Sequence, residues 1–257
     1  MTERVAEPVL DIVAPAINHI VTEDDEPVDN LPSAKQQRLL VEPLYSNTWT
    51  EQAFLADANV GIFRSTKEPP VVPDMFLSFD VELAEDWWAK EHRTYFIWEF
   101  GKPPDVAIEI VANEKGRETG KKRDDYARMG VPYYVIYDPQ LLVQETVLQV
   151  YELVVGEYLP RPDSKLPKTG LRLTLWQGKF EGKQAEWLRW CTLDGALMPT
   201  GAERAEQERQ RAEQERQRAE QERQRAEQEH TRAEQERQRA ERLAAKLKEL
   251  GIDPNTF

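Results

Sequence analysis

The pattern of apolar and polar positions is clearest between Pro103 and Pro139, PPDVAIEIVANEKGRETGKKRDDYARMGVPYYVIYDP. Val106 to Val111 is a β-branched run of strand length, and Tyr133 to Tyr137 is a second. Between them Glu118 to Met129 is polar and helix-favouring, and Gly130 followed by Pro132 is a helix stop signal. The connection is long enough for a right-handed crossover, which predicts two parallel strands near each other in one sheet. Strand alternation sets Val106, Ile108 and Ile110 on one face and Asp105, Ala107, Glu109 and Val111 on the other. On the helix, the spacing of Lys122, Tyr126 and Met129 makes a stripe that faces the sheet, while Lys121 falls with Asp125 and Arg128 in a charged row facing solvent.

The same reading extends in both directions. Ser33 to Val41 predicts a short helix with Ser33 as its N-cap. From Tyr45 the chain turns globular, with Trp49, Phe54, Leu55, Ile62 and Phe63 available for a core and a tight turn at Asn59 to Ile62. Met75 to Val81 predicts a strand, Pro73 fits only at its beginning, and Asp74 stands where the strand starts. Ala84 to Phe100 is acidic and aromatic; its tryptophans suit base stacking, but their acidic neighbours assign them instead to the core and rim. After Asp138 the stretch Thr146 to Val155 predicts a strand and Gly156 a hairpin, Leu171 to Trp176 alternates as an antiparallel strand, and Trp187 to Leu197 closes the globular part.

From Ala205 the unit AEQERQR repeats every seven residues. Pairs such as Glu206 with Arg209 each contribute a few tenths of a kcal/mol, about enough for a free-standing helix of about 70 Å from Glu203 to Leu250. With Ala205 at one seam position, the other is Glu208, so pairing of the repeat as a coiled coil is weak. Leu243, Leu247 and Leu250 make the tip the expected contact surface, and self-association runs through that tip or through the globular domain. The expected division is an acidic arm over 1–41, a globular domain over 42–198, the repeat helix over 203–250 and a tip over 251–257.

The net charge of −13 sits almost wholly in the first 200 residues, because the repeat is nearly neutral. General electrostatic attraction to phosphate is thereby excluded, and any nucleic-acid contact must be local or assisted by divalent cations. The single cysteine, Cys191, admits no intrachain disulfide, and His19, His92 and His230 stand too far apart in unlike contexts to suggest a zinc site. An acidic start lacking a signal pattern, and no apolar run near the roughly 20 residues of a membrane span, predict a cytoplasmic protein without membrane contact.

Within this frame Glu109 is the anomaly. A carboxylate in mid-strand, flanked by aliphatics, requires a cation or a buried basic partner. Helix phase makes Lys122 that partner rather than Lys121. Two readings stay open on pattern alone: Lys122 belongs to a working site, or it snorkels past the sheet edge and Glu109 merely pairs with it. Asp74 taken singly reads as a turn residue after proline.

Pro73-Asp74, PPDVAIEIV, the KxxxY spacing of Lys122 and Tyr126, and GVPYYVIYDP together resemble the bacterial restriction endonuclease family called Uma-two, within the PD-(D/E)XK nuclease superfamily. The likeness covers Glu42 to Pro139 in detail and the later strands more loosely. It implies an α/β, restriction-endonuclease-like mixed sheet flanked by helices, here followed by a long C-terminal α-helix. It also implies Mg²⁺-dependent endonuclease cleavage of DNA phosphodiester bonds, with Mn²⁺ able to substitute. Carried over by position, the resemblance makes Asp74 and Glu109 metal-binding and catalytic; the superfamily's usual lysine position is Val111 here, and Lys122 matches the catalytic lysine that family members of this type supply from the following helix. Tyr126 and Asp105 are supporting candidates; Asp105 shares the face of Glu109, but four strand residues span about 13 Å, too far for one ion. The competing class is a nuclease-fold scaffold without turnover that associates through its tail.

Overall fold

The structure, a computed structural model, describes residues 30–112 and 120–249. In chain order the elements are α1 (Leu31–Ser46), β1 (Phe54–Asp57), β2 (Ile62–Phe63), β3 (Met75–Phe79), β4 (Tyr95–Phe96), the single turn α2 (Ile97–Phe100), β5 (Val106–Ile110), α3 (Lys121–Met129), β6 (Tyr133–Tyr137), β7 (Leu148–Val154), β8 (Glu157–Pro160), β9 (Lys165–Leu166), β10 (Leu171–Phe180), β11 (Lys183–Thr192) and α4 (Gly201–Glu249). Most of the expected acidic arm, residues 1–29, together with Glu118 of the expected helix, Leu250 and the expected tip over 251–257, lies outside the described residues.

β5 and β6 pair in parallel, as their spacing predicts, and form the centre of a six-stranded mixed sheet ordered β1-β3-β5-β6-β7-β8. All its other pairs are antiparallel. α3 ends where expected: Gly130 takes the left-handed conformation (φ 85°) and its N–H, with that of Val131, satisfies the last carbonyls at Tyr126 and Ala127. The hairpin at Gly156 joins β7 to β8, and β10 pairs with β11 and β9 in a second, antiparallel sheet.

The two faces of β5 bury into different cores. Val106, Ile108 and Ile110 pack with Leu40 and Leu44 of α1 and with Leu173, Leu188 and Trp190 of the second sheet. Ala107 and Val111 pack on the opposite face with Phe76, Tyr95, Tyr126, Tyr134 and Ile136. Each fully buried aliphatic or aromatic side chain contributes about 1.5–3 kcal/mol, so a slip of one residue in β5 would cost several of these at once.

Two local expectations are corrected. The N-cap of α1 is Asn30, not Ser33: its side chain accepts from Ser33 N, and Pro32 occupies the first turn, where a missing N–H costs nothing. α1 consequently runs through residue 41, and Gln36, Gln37, Leu39 and Leu40 are buried. β3 stops at Phe79 instead of Val81, because Asp80 adopts a positive φ of 55°. The tryptophans divide between core and rim as expected: Trp98 packs against buried Phe63 and Phe96, while Trp87 and Trp88, 54% and 69% exposed with ring centroids 5.4 Å apart, form rim. Asp138, the aspartate of the YDP sequence, is buried and accepts the N–H groups of Leu142, Val143 and Gln144, which spends it on shaping the loop after β6.

The chain divides into two units between Gly201 and Ala202, and the second unit is helical as described. α4 carries the expected Glu206 to Arg209 ion pair, and others join Arg204 to Glu208, Glu213 to Arg216 and Arg237 to Glu241. Leu243 is exposed and Leu247 half-buried. Among the described residues no helix is long and apolar enough to cross a membrane.

Candidate functional site

β5 delivers Glu109 into the core face that holds Ala107 and Val111, and the side chain is 0% exposed. α3 lies against this face through Tyr126. Its phase brings Lys122 Nζ to 2.7 Å from Glu109 Oε2, while the Tyr126 hydroxyl donates to Glu109 Oε1 at 2.7 Å. Lys122 also donates to the Val72 carbonyl at 3.1 Å. Lys121 is exposed, and Asp125 pairs with Arg128, so the charged row of α3 faces outward.

Asp74 arrives by sheet register. β3 and β5 pair Met75 with Ile108, and one step further sets Asp74 opposite Glu109. The half-buried aspartate accepts the Ile110 N–H at Oδ2 (2.6 Å) and Gln37 Nε2 at Oδ1 (3.1 Å). The structure therefore brings Asp74, Glu109, Lys122 and Tyr126 together. It does not bring Asp105 to them: that carboxylate, at the other end of β5, accepts Lys102 Nζ at 2.5 Å and the Phe79 N–H at 2.8 Å. Val111, the usual superfamily lysine position, is buried and apolar.

Electrostatically the site is short of positive charge. Burial pushes the Glu109 carboxyl up to about 8; Lys122 opposes this and the neighbouring Asp74 adds to it. Burial likewise raises Asp74, against the opposing pull of the Ile110 N–H, Lys122 and Gln37. Tyr126 is raised well above its ordinary value by burial and by the carboxylate it serves, so it stays a donor. Two carboxylates that resist ionising together are a preformed invitation to a cation.

Among the described residues the carboxylates there offer oxygens and no thiol or imidazole stands with them, a donor set that suits a hard divalent ion such as Mg²⁺ or Mn²⁺. Asp74 and Glu109 are the carboxylates that could hold such an ion. Among the described residues no group of three or more His, Cys, Asp and Glu converges, so the protein ligands in view are these two.

Sequence reasoning missed Gln37, which α1 carries 37 positions upstream of Asp74. The signal was available: Ser33, Gln36, Gln37, Leu40 and Leu44 recur at helical spacing, and two glutamines on the buried stripe of a helix require buried partners. Gln36 uses its amide on both backbone groups of Leu188, and Gln37 pairs with Asn59 and Asp74.

No curated protein matches the chain. A family model described as "Uma2: Putative restriction endonuclease" matches residues 25–176, from ahead of α1 to within β10, and so takes in every residue of the cluster around Glu109. With more than half its length matched, and with a mixed sheet of the restriction-endonuclease-like kind, the chain belongs to the Uma2 family of the PD-(D/E)XK superfamily.

Proposed function

We propose that the chain is a divalent-metal-dependent endonuclease that hydrolyses DNA phosphodiester bonds. The observation that carries this is the pair of carboxylates from neighbouring antiparallel strands, both raised by burial, with one ammonium on Glu109. In this reading Asp74 and Glu109 hold Mg²⁺, for which Mn²⁺ substitutes. Such an ion, when bound, supplies acidification of a coordinated water and compensation of charge on the phosphate. The remaining work falls to the chain. Tyr126 keeps Glu109 Oε1 oriented, Lys122 orients the nucleophile or offsets charge as it develops, and the surrounding Ala107, Val111 and Ile136 keep the dielectric low so that these charges act strongly. With a chain of net charge −13, almost all of it in the globular part, the phosphates are received locally, and Lys121, Lys122 and Arg123 open α3 for that purpose.

A second reading has its own support: both oxygens of Glu109 already accept hydrogen bonds, and the chain as a whole repels polyanions. Under it the nuclease fold is a scaffold without turnover, and association runs through the helical tail. Plasmid nicking by the wild type and Glu109→Gln, with Mg²⁺ or Mn²⁺, separates the two. Metal-dependent nicking lost in the variant supports the nuclease; nicking unchanged by the substitution overturns this site, and no nicking with either metal supports the scaffold.

A further inference from the structure

We propose that Gln37 and Asn59 form an amide clamp that orients Asp74 for divalent-ion binding, setting the ion affinity of the site without touching the ion. This rests on the metal-site reading above and extends it to two positioning residues from outside the strand, helix and strand that carry Glu109.

The hydrogen bonds fix the direction of every group involved. Gln37 Nε2 donates to Asp74 Oδ1 at 3.1 Å and to Asn59 Oδ1 at 3.2 Å, and Asn59 Nδ2 donates back to Gln37 Oε1 at 3.1 Å. A flipped Gln37 amide would set Oε1 against the Asp74 carboxylate and against Asn59 Oδ1, acceptor facing acceptor, so one orientation alone is satisfied. Both ends of the clamp are anchored. Gln37 is buried on α1, beside the Gln36 amide that grips Leu188. Asn59 holds a left-handed backbone (φ 57°), and its N–H donates to the carbonyl of Pro73, the residue before Asp74.

The consequence for Asp74 is one donor on each oxygen from a different element: Gln37 on Oδ1 and the Ile110 N–H on Oδ2. Rotation of the carboxylate breaks one or the other. Asp74 stands at the strand position opposite Glu109, whose side chain also lies within hydrogen-bonding reach of it. The neutrality of the clamp matters as much as its geometry. A lysine or arginine in place of Gln37 would compete with the ion for Asp74, and a carboxylate there would repel the one it has to orient; an amide orients without doing either. Outer partners of this kind typically account for 10- to 100-fold in metal affinity.

The test is Mn²⁺ titration of the full chain by calorimetry, with thermal unfolding recorded on metal-free samples. Gln37→Met keeps the bulk of the side chain and removes its donors. Asn59→Gly removes the partner amide while tolerating the positive φ. Both variants are expected to weaken Mn²⁺ binding by about 10- to 100-fold while the metal-free melting temperature stays within a few degrees of wild type. Wild-type affinity in both variants overturns the clamp and leaves the metal site standing. A fall in melting temperature with no loss of affinity shows a merely structural tie between α1 and the turn at Asn59, and also overturns it. Failure of the wild type to bind Mn²⁺ removes the metal-site reading, and the clamp with it.

Discussion

Glu109 and Glu181 are the same side chain in opposite settings. Glu109 accepts from Lys122 and Tyr126, each at 2.7 Å, and is fully buried. Glu181, at the turn between β10 and β11, accepts from Lys35 at 2.7 Å and from two nitrogens of Arg38 at 2.8 and 2.5 Å, with a side chain about one-third exposed. The Arg38 and Lys35 hydrogen bonds draw Glu181 down to about 2, whereas burial pushes Glu109 up to about 8. Contact distances do not decide the outcome; desolvation does. Water around Glu181 leaves its two cations to favour the carboxylate, while an apolar wall around Glu109 outweighs its single ammonium. The first arrangement fastens α1 to a hairpin, and the second holds a carboxylate out of its preferred state, as the proposed site requires.

The sharpest break in that contrast is functional. Glu109→Gln is expected to lower Mn²⁺-dependent plasmid nicking by at least about 100-fold, in keeping with the loss of a group that organises charge at a reacting centre, while Glu181→Gln leaves nicking at the wild-type rate. Equal losses in both, measured under single-turnover conditions, would erase the distinction.

Stability against pH comes next, measured by denaturant unfolding of metal-free protein. Because Glu109 is raised in the fold, its contribution is fully present below the unfolded-state value of about 4.5 and is lost as pH rises toward about 8: in that window the unfolded chain has released a proton that the folded chain retains. The wild type should weaken across it, and Glu109→Gln should flatten the slope. Glu181 has the opposite sign. Its contribution is present above about 4.5 and is lost as pH falls toward about 2.

Smaller effects refine the picture. Tyr126→Phe keeps the ring and removes the donor to a buried carboxylate, at an expected cost of about 1–3 kcal/mol in unfolding free energy measured by urea titration. Glu181→Gln should cost at most about 1 kcal/mol, an effect that shrinks in high salt as expected for an exposed cluster. At the far end, the carboxylates of α4 from Glu208 to Glu241 are exposed, and deleting Ala202 to Phe257 should leave the melting temperature of the globular unit unchanged. A calorimetric scan with a broadened transition for the truncated chain would show that the tail does more than its surface suggests.

Much of the centre was legible from local pattern. A β-branched run with period two sets Glu109 opposite Ile108 and Ile110, helical spacing aligns Lys122 with Tyr126, and glycine stops α3, so the Lys122 to Glu109 contact follows from residues within about twenty positions of one another. The seven-residue repeat dictated α4 in the same way, because its ion pairs are within one helix. Other features were written nowhere locally. Asp74 stands opposite Glu109 only because β3 pairs with β5 in one register, Gln37 reaches Asp74 from α1, and the Trp87 and Trp88 rings are exposed because the core was filled by other side chains. Side-chain periodicity is a property of a few consecutive residues, and sequence carries it directly. Register, burial and the dielectric around a charge are sums over segments far apart in the chain, which is why the tertiary structure alone decided that Glu109 is held near 8 and Glu181 near 2.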